Sequence, residues 1–380
     1  MTFSIINNII KNFKILKKIN KFTEKKYKII FYSENKTYLK YSYLLIETLS
    51  KIYPGKILYV SSEKNDLIKN LKVKNLYVGK SFFLQYFFLK IKANNFFFTV
   101  TDLDNNILKK SRNIDRYIYF FHSAVSTTRA YTNKAFDNYD LILCTGNYQV
   151  KEIRKRENLN NLKKKILIKF GYMYFDYLKN NLNLNADNKN DEILVAPSWN
   201  FNEKNFINKD FEKIIEKLLY YNFKVRFRPH PEHFKRSPFF LDEIKNKFKS
   251  KNFIFDNNIE NVSSMLKAKC LITDNSGIAV EYTSILKRPT LYYESNFKIH
   301  NKEIKDYKSL KVLEDIVKKK FGLKFKYNQI EKLNTIINLS LKNFNNVKRQ
   351  KRIKKFTKEN FYNFLTIKDF IKKNINKIIY

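Results

Sequence analysis

The residues best suited to chemistry gather in two stretches of the second half of the chain. In Leu271-Ile272-Thr273-Asp274-Asn275-Ser276-Gly277-Ile278-Ala279-Val280-Glu281-Tyr282 an apolar run ends in Thr-Asp, a small polar turn follows, and a helix is expected to begin near Ser276 or Gly277. The first N–H groups of a helix have no partner within it and lie at its positive end, so such a start suits a phosphate. Gly277 removes the Cβ that would block close approach, and Thr273 and Ser276 add hydroxyl donors. Glu281 falls one turn on, on the face shared with Gly277, within reach of ribose hydroxyls. An ordinary strand-to-helix turn with an Asn or Ser cap and a solvated glutamate reads the same way. The second stretch is Arg228-Pro229-His230-Pro231, directly after Val225-Arg226-Phe227. Prolines on both sides fix φ and hold the imidazole at a rigid loop tip, as an acid, a base or a phosphate ligand requires. His122 closes the run Tyr117 to Phe121 and opens Ser123-Ala124-Val125-Ser126; taken alone it reads equally well as a satisfied structural histidine. Asp102-Leu103-Asp104 is a D-x-D pair at a strand end, a pattern that can hold a divalent cation but also arises by chance. No His/Cys cluster has zinc-ligand spacing, and the expected site has no metal.

Near-continuous apolar strands alternating with helices must position these groups. Strands are expected at Lys28 to Tyr32, Ile57 to Val60, Leu76 to Val78, Phe96 to Thr101, Tyr117 to His122, Leu141 to Cys144 and Ile166 to Lys169. After a stretch rich in Asn and Asp they resume at Ile193 to Ala196, Lys224 to Phe227, Phe253 to Phe255, Cys270 to Thr273 and Thr290 to Tyr293. Strands of this kind form parallel sheets covered on both faces. The predicted organisation is a basic helix over 1–26, an α/β Rossmann-like domain over 27–180, a linker over 181–191, a second Rossmann-like domain over 192–305, and basic helices without strands over 306–380. The expected active site is the cleft between the two sheets, at the strand C-terminal ends. At roughly 150 residues per domain, 380 residues accommodate this plan.

With only six glycines, the chain has neither the G-x-G-x-x-G fingerprint nor a P-loop, which excludes dehydrogenases and P-loop kinases of the usual kind. No apolar run approaches the ~18 to 20 residues of a membrane span. Cys144 and Cys270 lie in strand-like runs and read as small buried hydrophobes, as expected in a reducing compartment. Lys and Arg total 75 against 35 Asp and Glu, a net charge of +40, which favours an anionic partner: nucleic acid, acidic lipid or a phosphate-rich substrate. A general bias toward Lys, Asn, Ile, Phe and Tyr explains part of the excess. Ile5, Ile6, Ile9, Ile10, Phe13, Leu16 and Ile19, interleaved with lysines, make residues 1–26 a basic amphipathic helix that either lies on an anionic membrane or docks on the protein's own surface.

Ala196-Pro197-Ser198-Trp199, Arg228-Pro229-His230-Pro231, Thr273-Asp274-Asn275-Ser276 with Glu281-Tyr282, and Lys287-Arg288-Pro289 before a strand together resemble the CDP-glycerol glycerophosphotransferase family, the teichoic-acid and capsule polymerases. The similarity is clearest from Ile193 to Tyr293 and fainter from Tyr117 to Gln149. It implies the GT-B architecture of two Rossmann-like domains, and a nucleotide-activated donor, CDP-linked by preference, on the second. It also implies that His122 is the base for an acceptor hydroxyl and that His230 lies by the donor pyrophosphate. Arg228, Thr273, Asp274, Asn275, Ser276, Gly277 and Glu281 then form the nucleotide and phosphate site, with Ser198 and Arg288 as pocket walls. Members usually have glycine where this chain has Ser123, a second serine where it has Gly277, and Thr-Trp-Arg where it reads Ser198-Trp199-Asn200.

The expected function is therefore transfer of a polyol phosphate or sugar from a nucleotide-activated donor to a hydroxyl of a cell-envelope polymer. No cofactor is expected beyond the donor itself, and the place of action is the cytoplasmic face of the membrane. Nucleotide-sugar glycosyltransferases and sugar-nucleotide 2-epimerases share the Ser-Gly-x-x-x-Glu pattern. A basic nucleic-acid-binding protein is the rival from another class, with charge in its favour but no recognisable module.

Overall fold

The computed structural model describes residues 2–105, 108–184, 191–199, 209–258, 261–295, 301–344, 346–362 and 367–379. Most of the expected linker 181–191 lies outside them. The chain forms two compact units: Met1–His122, Tyr131–Asp176 and Phe361–Tyr380 make the first, Ser123–Ala130 and Tyr177–Asn360 the second.

The first unit is built on seven strands: β1 (Lys26–Ser33), β2 (Ile57–Ser61), β3 (Lys74–Tyr77), β4 (Lys92–Phe98), β5 (Ile114–Phe120), β6 (Leu141–Cys144) and β7 (Ile166–Lys169). All neighbours pair parallel, in the order β3-β2-β1-β4-β5-β6-β7. Each parallel pair needs a crossover, and helices covering both faces bury alternate residues on each side; hence the unbroken apolar runs that announce these strands. One face packs Ile29, Phe31, Tyr59, Phe97 and Ile118 against Leu45, Ile46 and Leu49 of the helix Leu39–Ile52. Ile371 and Ile378, from the helix Ile367–Ile378 at the end of the chain, complete that core.

Six strands carry the second unit: β8 (Glu192–Val195), β9 (Lys224–Phe227), β10 (Phe253–Phe255), β11 (Ala268–Thr273), β12 (Thr290–Tyr293) and β13 (Gly322–Phe325). They too are all parallel, ordered β10-β9-β8-β11-β12-β13. Both sheets thus show the doubly wound α/β order anticipated from the sequence. β13 corrects the expectation of helices alone beyond 305: Gly-Leu-Lys-Phe is short and half polar, and it is held as an edge strand by its pairing with β12. Where strand order reverses, β8 beside β11 in this sheet and β1 beside β4 in the other, the connections leave on opposite faces and open a crevice at the strand C-terminal ends.

The helix Thr2–Thr23 is anchored through Ile19, which is fully buried, and through Asn20, whose Oδ1 accepts from the hydroxyl of Tyr86 at 2.8 Å. Phe13 is nevertheless 69% exposed. Among the described residues, no helix is long and apolar enough to cross a membrane.

Candidate active site

The reversal between β8 and β11 brings Ser198 to Asp274. The Ser198 backbone N–H donates to Asp274 Oδ1 at 2.8 Å and its hydroxyl to Oδ2 at 2.7 Å. Thr273, fully buried, donates its hydroxyl to the carbonyl of Ala196 at 2.7 Å. Thr273, expected as a hydroxyl donor to phosphate, and Asp274, expected in the phosphate site, are thus engaged within the protein. Asp274 and Thr273 fasten the loop after β8 to the loop after β11, and neither presents a donor outward. A carboxylate placed to accept two hydrogen bonds is a positioning group, since its charge would repel a phosphate.

Asn275, Ser276 and Gly277 follow, all half-buried. The helical run starts as the sequence predicts. Ala279 N–H donates to Ser276 O at 3.1 Å, Gly277 caps Ile278–Glu281, and a π-turn continues over Tyr282–Leu286. Lys287, left-handed at φ 54°, ends it. A Cβ added to Gly277 would meet Ser123 Oγ at 2.8 Å and Val125 Cγ1 at 2.9 Å, because residues 123–130 belong to this unit. Those residues are tied down by Glu314, which accepts from Ser126 N–H at 3.1 Å, and by the pair Arg129–Asp315. Glu281 is 95% buried, so it is not the solvated glutamate of an ordinary turn.

Arg228 and His230 follow β9. The Arg228 guanidinium lies 2.9 Å from Asp256 and donates to the Asn258 carbonyl at 2.8 Å. Burial raises the Asp256 carboxyl pKa, but the hydrogen bond from Ser264 and the charge of Arg228 outweigh it and hold the group below its usual range. Much of the Arg228 charge is thus offset within the protein. His230 caps the helix Pro231–Arg236: its Nδ1 accepts from Glu232 N–H at 3.2 Å, while Nδ1 of the buried His233 accepts from His230 N–H at 3.0 Å. An Nδ1 that accepts leaves the ring proton on Nε2 in the neutral imidazole, so both rings are fixed as the same tautomer. The Trp199 ring lies 6.1 Å from His230, with the Arg236 guanidinium 5.4 Å over the indole. Arg288 does not line this group; one of its nitrogens donates to the carbonyls of Leu266 and Ala268 at 2.6 Å each, at the C-terminus of the helix Val262–Lys267.

His122, in the first unit, is half-buried beyond β5, with the Tyr38 ring edge-on at 5.2 Å and its own carbonyl accepting from Tyr172 at 3.2 Å. Burial pushes its pKa down to about 4, against the opposing effect of a hydrogen bond with the Thr99 backbone. Its Nδ1 is buried without a hydrogen-bond partner. Most buried polar side-chain atoms are hydrogen-bonded, which sets this nitrogen apart. Asp102 and Asp104 both have positive φ; Asp102 accepts from Thr132 Oγ1 and Asp104 from Lys110 N–H. No group of three or more His, Cys, Asp or Glu among the described residues could hold a metal ion.

Sequence reasoning missed Lys318. It lies on the helix Leu313–Phe321, only 6% exposed, with Nζ 3.5 Å from Asn275 Oδ1. In sequence it is one of three successive lysines, and the signal was its place on the buried face with Leu313, Val317 and Phe321.

Comparison with known proteins agrees with this fold. The wall teichoic acid polymerase TagF superposes with a TM-score of 0.57 at 17% identity, over 99% of this chain and 97% of that one. A variant of it soaked with CDPG gives 0.55 at 18% identity, over 92% and 89%. The UDP-GlcNAc 2-epimerase of Methanocaldococcus jannaschii, in complex with UDP-GlcNAc and UDP, gives 0.53 at 15% identity, over 88% and 99%. At such identities the likeness concerns the fold. No curated protein matches the chain in sequence. The family is fixed by its sequence model, which matches residues 15–360: the chain belongs to the CDP-glycerol:poly(glycerophosphate) glycerophosphotransferase family.

Proposed function

We propose that the protein transfers glycerol phosphate, or a closely related polyol phosphate, from its CDP-activated form to a hydroxyl of a cell-envelope polymer of the teichoic-acid or capsular kind. The observation that carries this reading is the polar turn Asn275–Gly277 leading into a helix at the strand reversal of the second unit, in a chain of this transferase family. The donor's pyrophosphate lies at that turn, with Ser276 and the helix start as donors, and Glu281 accepts from the ribose. His230 adds a proton-bearing Nε2 beside the phosphates. His122, neutral at pH 7, takes the acceptor proton. The acceptor oxygen bonds to the phosphorus that carries the glycerol, the anhydride P–O bond breaks, and CMP leaves with the bonding electrons. Fixed donors aimed at the oxygens where charge accumulates lower the barrier without reorganisation. A thermal-shift and calorimetric panel of CDP, CMP, UDP and GDP tests the donor class, because a ligand of the native state raises stability by RT ln(1 + [L]/Kd). Stabilisation by CDP above the others supports the reading. Preference for UDP transfers it to a nucleotide-sugar enzyme of the same fold, and no nucleotide binding overturns it.

The same reading places the enzyme at the inner face of the membrane, where an envelope polymer grows. Phe13 and Ile10 on the first helix are 69% and 47% exposed, and Phe82 and Leu89 on the helix Phe82–Lys90 that packs beside it are exposed too. Lysines interleave with them, and each is worth ~1 kcal/mol near an acidic surface. Sedimentation with anionic vesicles, weakening as salt rises, is the expected result; binding to duplex DNA in its place favours the nucleic-acid rival.

A further inference from the structure

We propose that Lys318, from a helix outside every motif that marks the site in the sequence, joins Asn275 of the turn as a recognition pair for the diphosphate of the donor. The inference rests on the reading of the Asn275–Gly277 turn as the donor site and adds the residues that read the second negative charge.

Three observations converge. First, the Lys318 side chain is directed inward: only 6% of the residue is exposed, its Nζ lies 3.5 Å from Asn275 Oδ1, and the ammonium sits 5.3 Å from the centroid of the buried Tyr292 ring. Lysine is almost never buried without a reason, since its charge is more cheaply left in water. Secondly, the amide that receives this lysine has a donor to spare. Asn275 turns Oδ1 toward Lys318, and its Nδ2 is buried with no hydrogen-bond partner in the protein. A buried amide donor without an acceptor is rare in native structures and marks a place where an acceptor binds. Thirdly, the nearest carboxylate is already committed, because both oxygens of Asp274 accept from Ser198. Burial, and then the positive charge of Lys324, outweigh the attraction of Asp274, Glu294 and Asp315 and lower the Lys318 pKa. Two donors facing one locality, beside a helix start, call for a ligand with several acceptor oxygens and net negative charge, which a diphosphate supplies.

The placement of the lysine is itself built. Gly322, which ends the helix Leu313–Phe321, has Tyr292 packed so closely that a Cβ there would collide with the ring. The Lys318 ammonium lies over the same ring, so the glycine that admits Tyr292 also brings the ring to the lysine.

The test uses the full chain and two probes, CDP and inorganic pyrophosphate, in isothermal titration, with thermal unfolding as the check on folding. Lys318→Met, which keeps the length of the stem, is expected to weaken both probes tenfold or more, and Lys318→Arg to retain most of the binding. Asn275→Asp, which exchanges the unmatched donor for a carboxylate of the same shape, is expected to abolish pyrophosphate binding. Unchanged affinity for CDP in folded Lys318→Met and Asn275→Asp overturns the inference while leaving the donor reading intact. Lysine-dependent binding of pyrophosphate in a wild-type protein that ignores CDP sustains the pair and overturns the choice of nucleotide. Should Lys318→Met fail to fold, Asn275→Asp decides alone, and a wild type that binds neither probe overturns both.

Discussion

Nδ1 of His233 accepts the backbone N–H of His230 at 3.0 Å, so a buried histidine holds in place the Pro-bracketed histidine that follows β9. Since the His230 ring in turn accepts from the Glu232 backbone N–H through Nδ1, the Pro-bracketed loop is closed by two imidazoles. Proline supplies the fixed φ; the second ring supplies the hydrogen bond that proline cannot make.

The two candidate catalytic histidines are expected to fail differently. His122→Ala leaves CDP binding nearly unchanged and lowers turnover by roughly 10² to 10⁴, the range of a general base. His230→Ala lowers turnover and also weakens CDP, because its contact is to charge already present in the ground state. Steady-state kinetics with parallel titration calorimetry separates them. Equal loss of CDP binding in both would remove His122 from the role of base.

Ser276→Ala and Glu281→Ala should each reduce CDP affinity tenfold or more, one through the phosphates and the other through the ribose, with charged hydrogen bonds contributing about 1.5 to 3 kcal/mol apiece. Uridine and deoxyribose analogues refine the assignment: loss of the ribose hydroxyls should cost the wild type affinity and cost Glu281→Ala nothing further. Wild-type affinity in both folded variants would move the nucleotide elsewhere.

His122 also leaves a mark on acid stability. Its pKa is about 4 in the folded protein against 6.5 for an ordinary histidine, so the unfolded chain binds the additional proton. The native state is unpenalised above pH 6.5 and loses stability as pH falls toward 4, by on the order of 3 kcal/mol for this group. Urea unfolding of His122→Gln should show a shallower decline between pH 6.5 and 4 than the wild type. A parallel decline in the two proteins would mean the imidazole is not shielded as the structure has it.

Gly277 and Ser123 are expected to be energetically coupled. Gly277→Ala drives a methyl into Ser123 Oγ and Val125 Cγ1, which lie under 3.0 Å from that position. Overpacking of this kind costs typically 1 to 3 kcal/mol. Ser123→Gly should return part of that loss when combined with Gly277→Ala, and a double-mutant cycle on unfolding free energies measures the coupling. This contact also gives a physical reason for the paired departure from the family pattern, serine at 123 with glycine at 277, since two side chains do not fit there.

Much of this architecture was legible because buried parallel strands must be continuously apolar. Leu141–Cys144, Ile166–Lys169, Lys224–Phe227 and Thr290–Tyr293 fall where the runs of β-branched and aromatic residues put them. β13 was not, because an edge strand is satisfied on one side and needs few apolar letters. At the site, the turn Asn275–Gly277 and the rigid loop at His230 could be read from glycine, proline and hydroxyl chemistry. The inward-facing tasks of Thr273 and Asp274 could not, for the same letters that bind a phosphate also fasten two loops. Lys318 stayed hidden because one buried lysine in a run of three is distinguished only by its phase on the helix.

The interleaving of the two units governs the order in which a ribosome can finish them. Ser126 is bonded to Glu314, 188 positions later. Near the end of the chain, the helix Ile367–Ile378 packs on the helix Leu39–Ile52, and Lys368 pairs with Glu47 at 3.0 Å. The first sheet therefore keeps part of its apolar cover open until after the second sheet has been made. Contacts of such long sequence separation form slowly and leave sticky surface waiting. A chain released before Phe361 lacks the lid of its first sheet and leaves Leu45, Ile46 and Leu49 without Ile371 and Ile378 over them. Residues translated after the whole second sheet are thus the ones that close the first core.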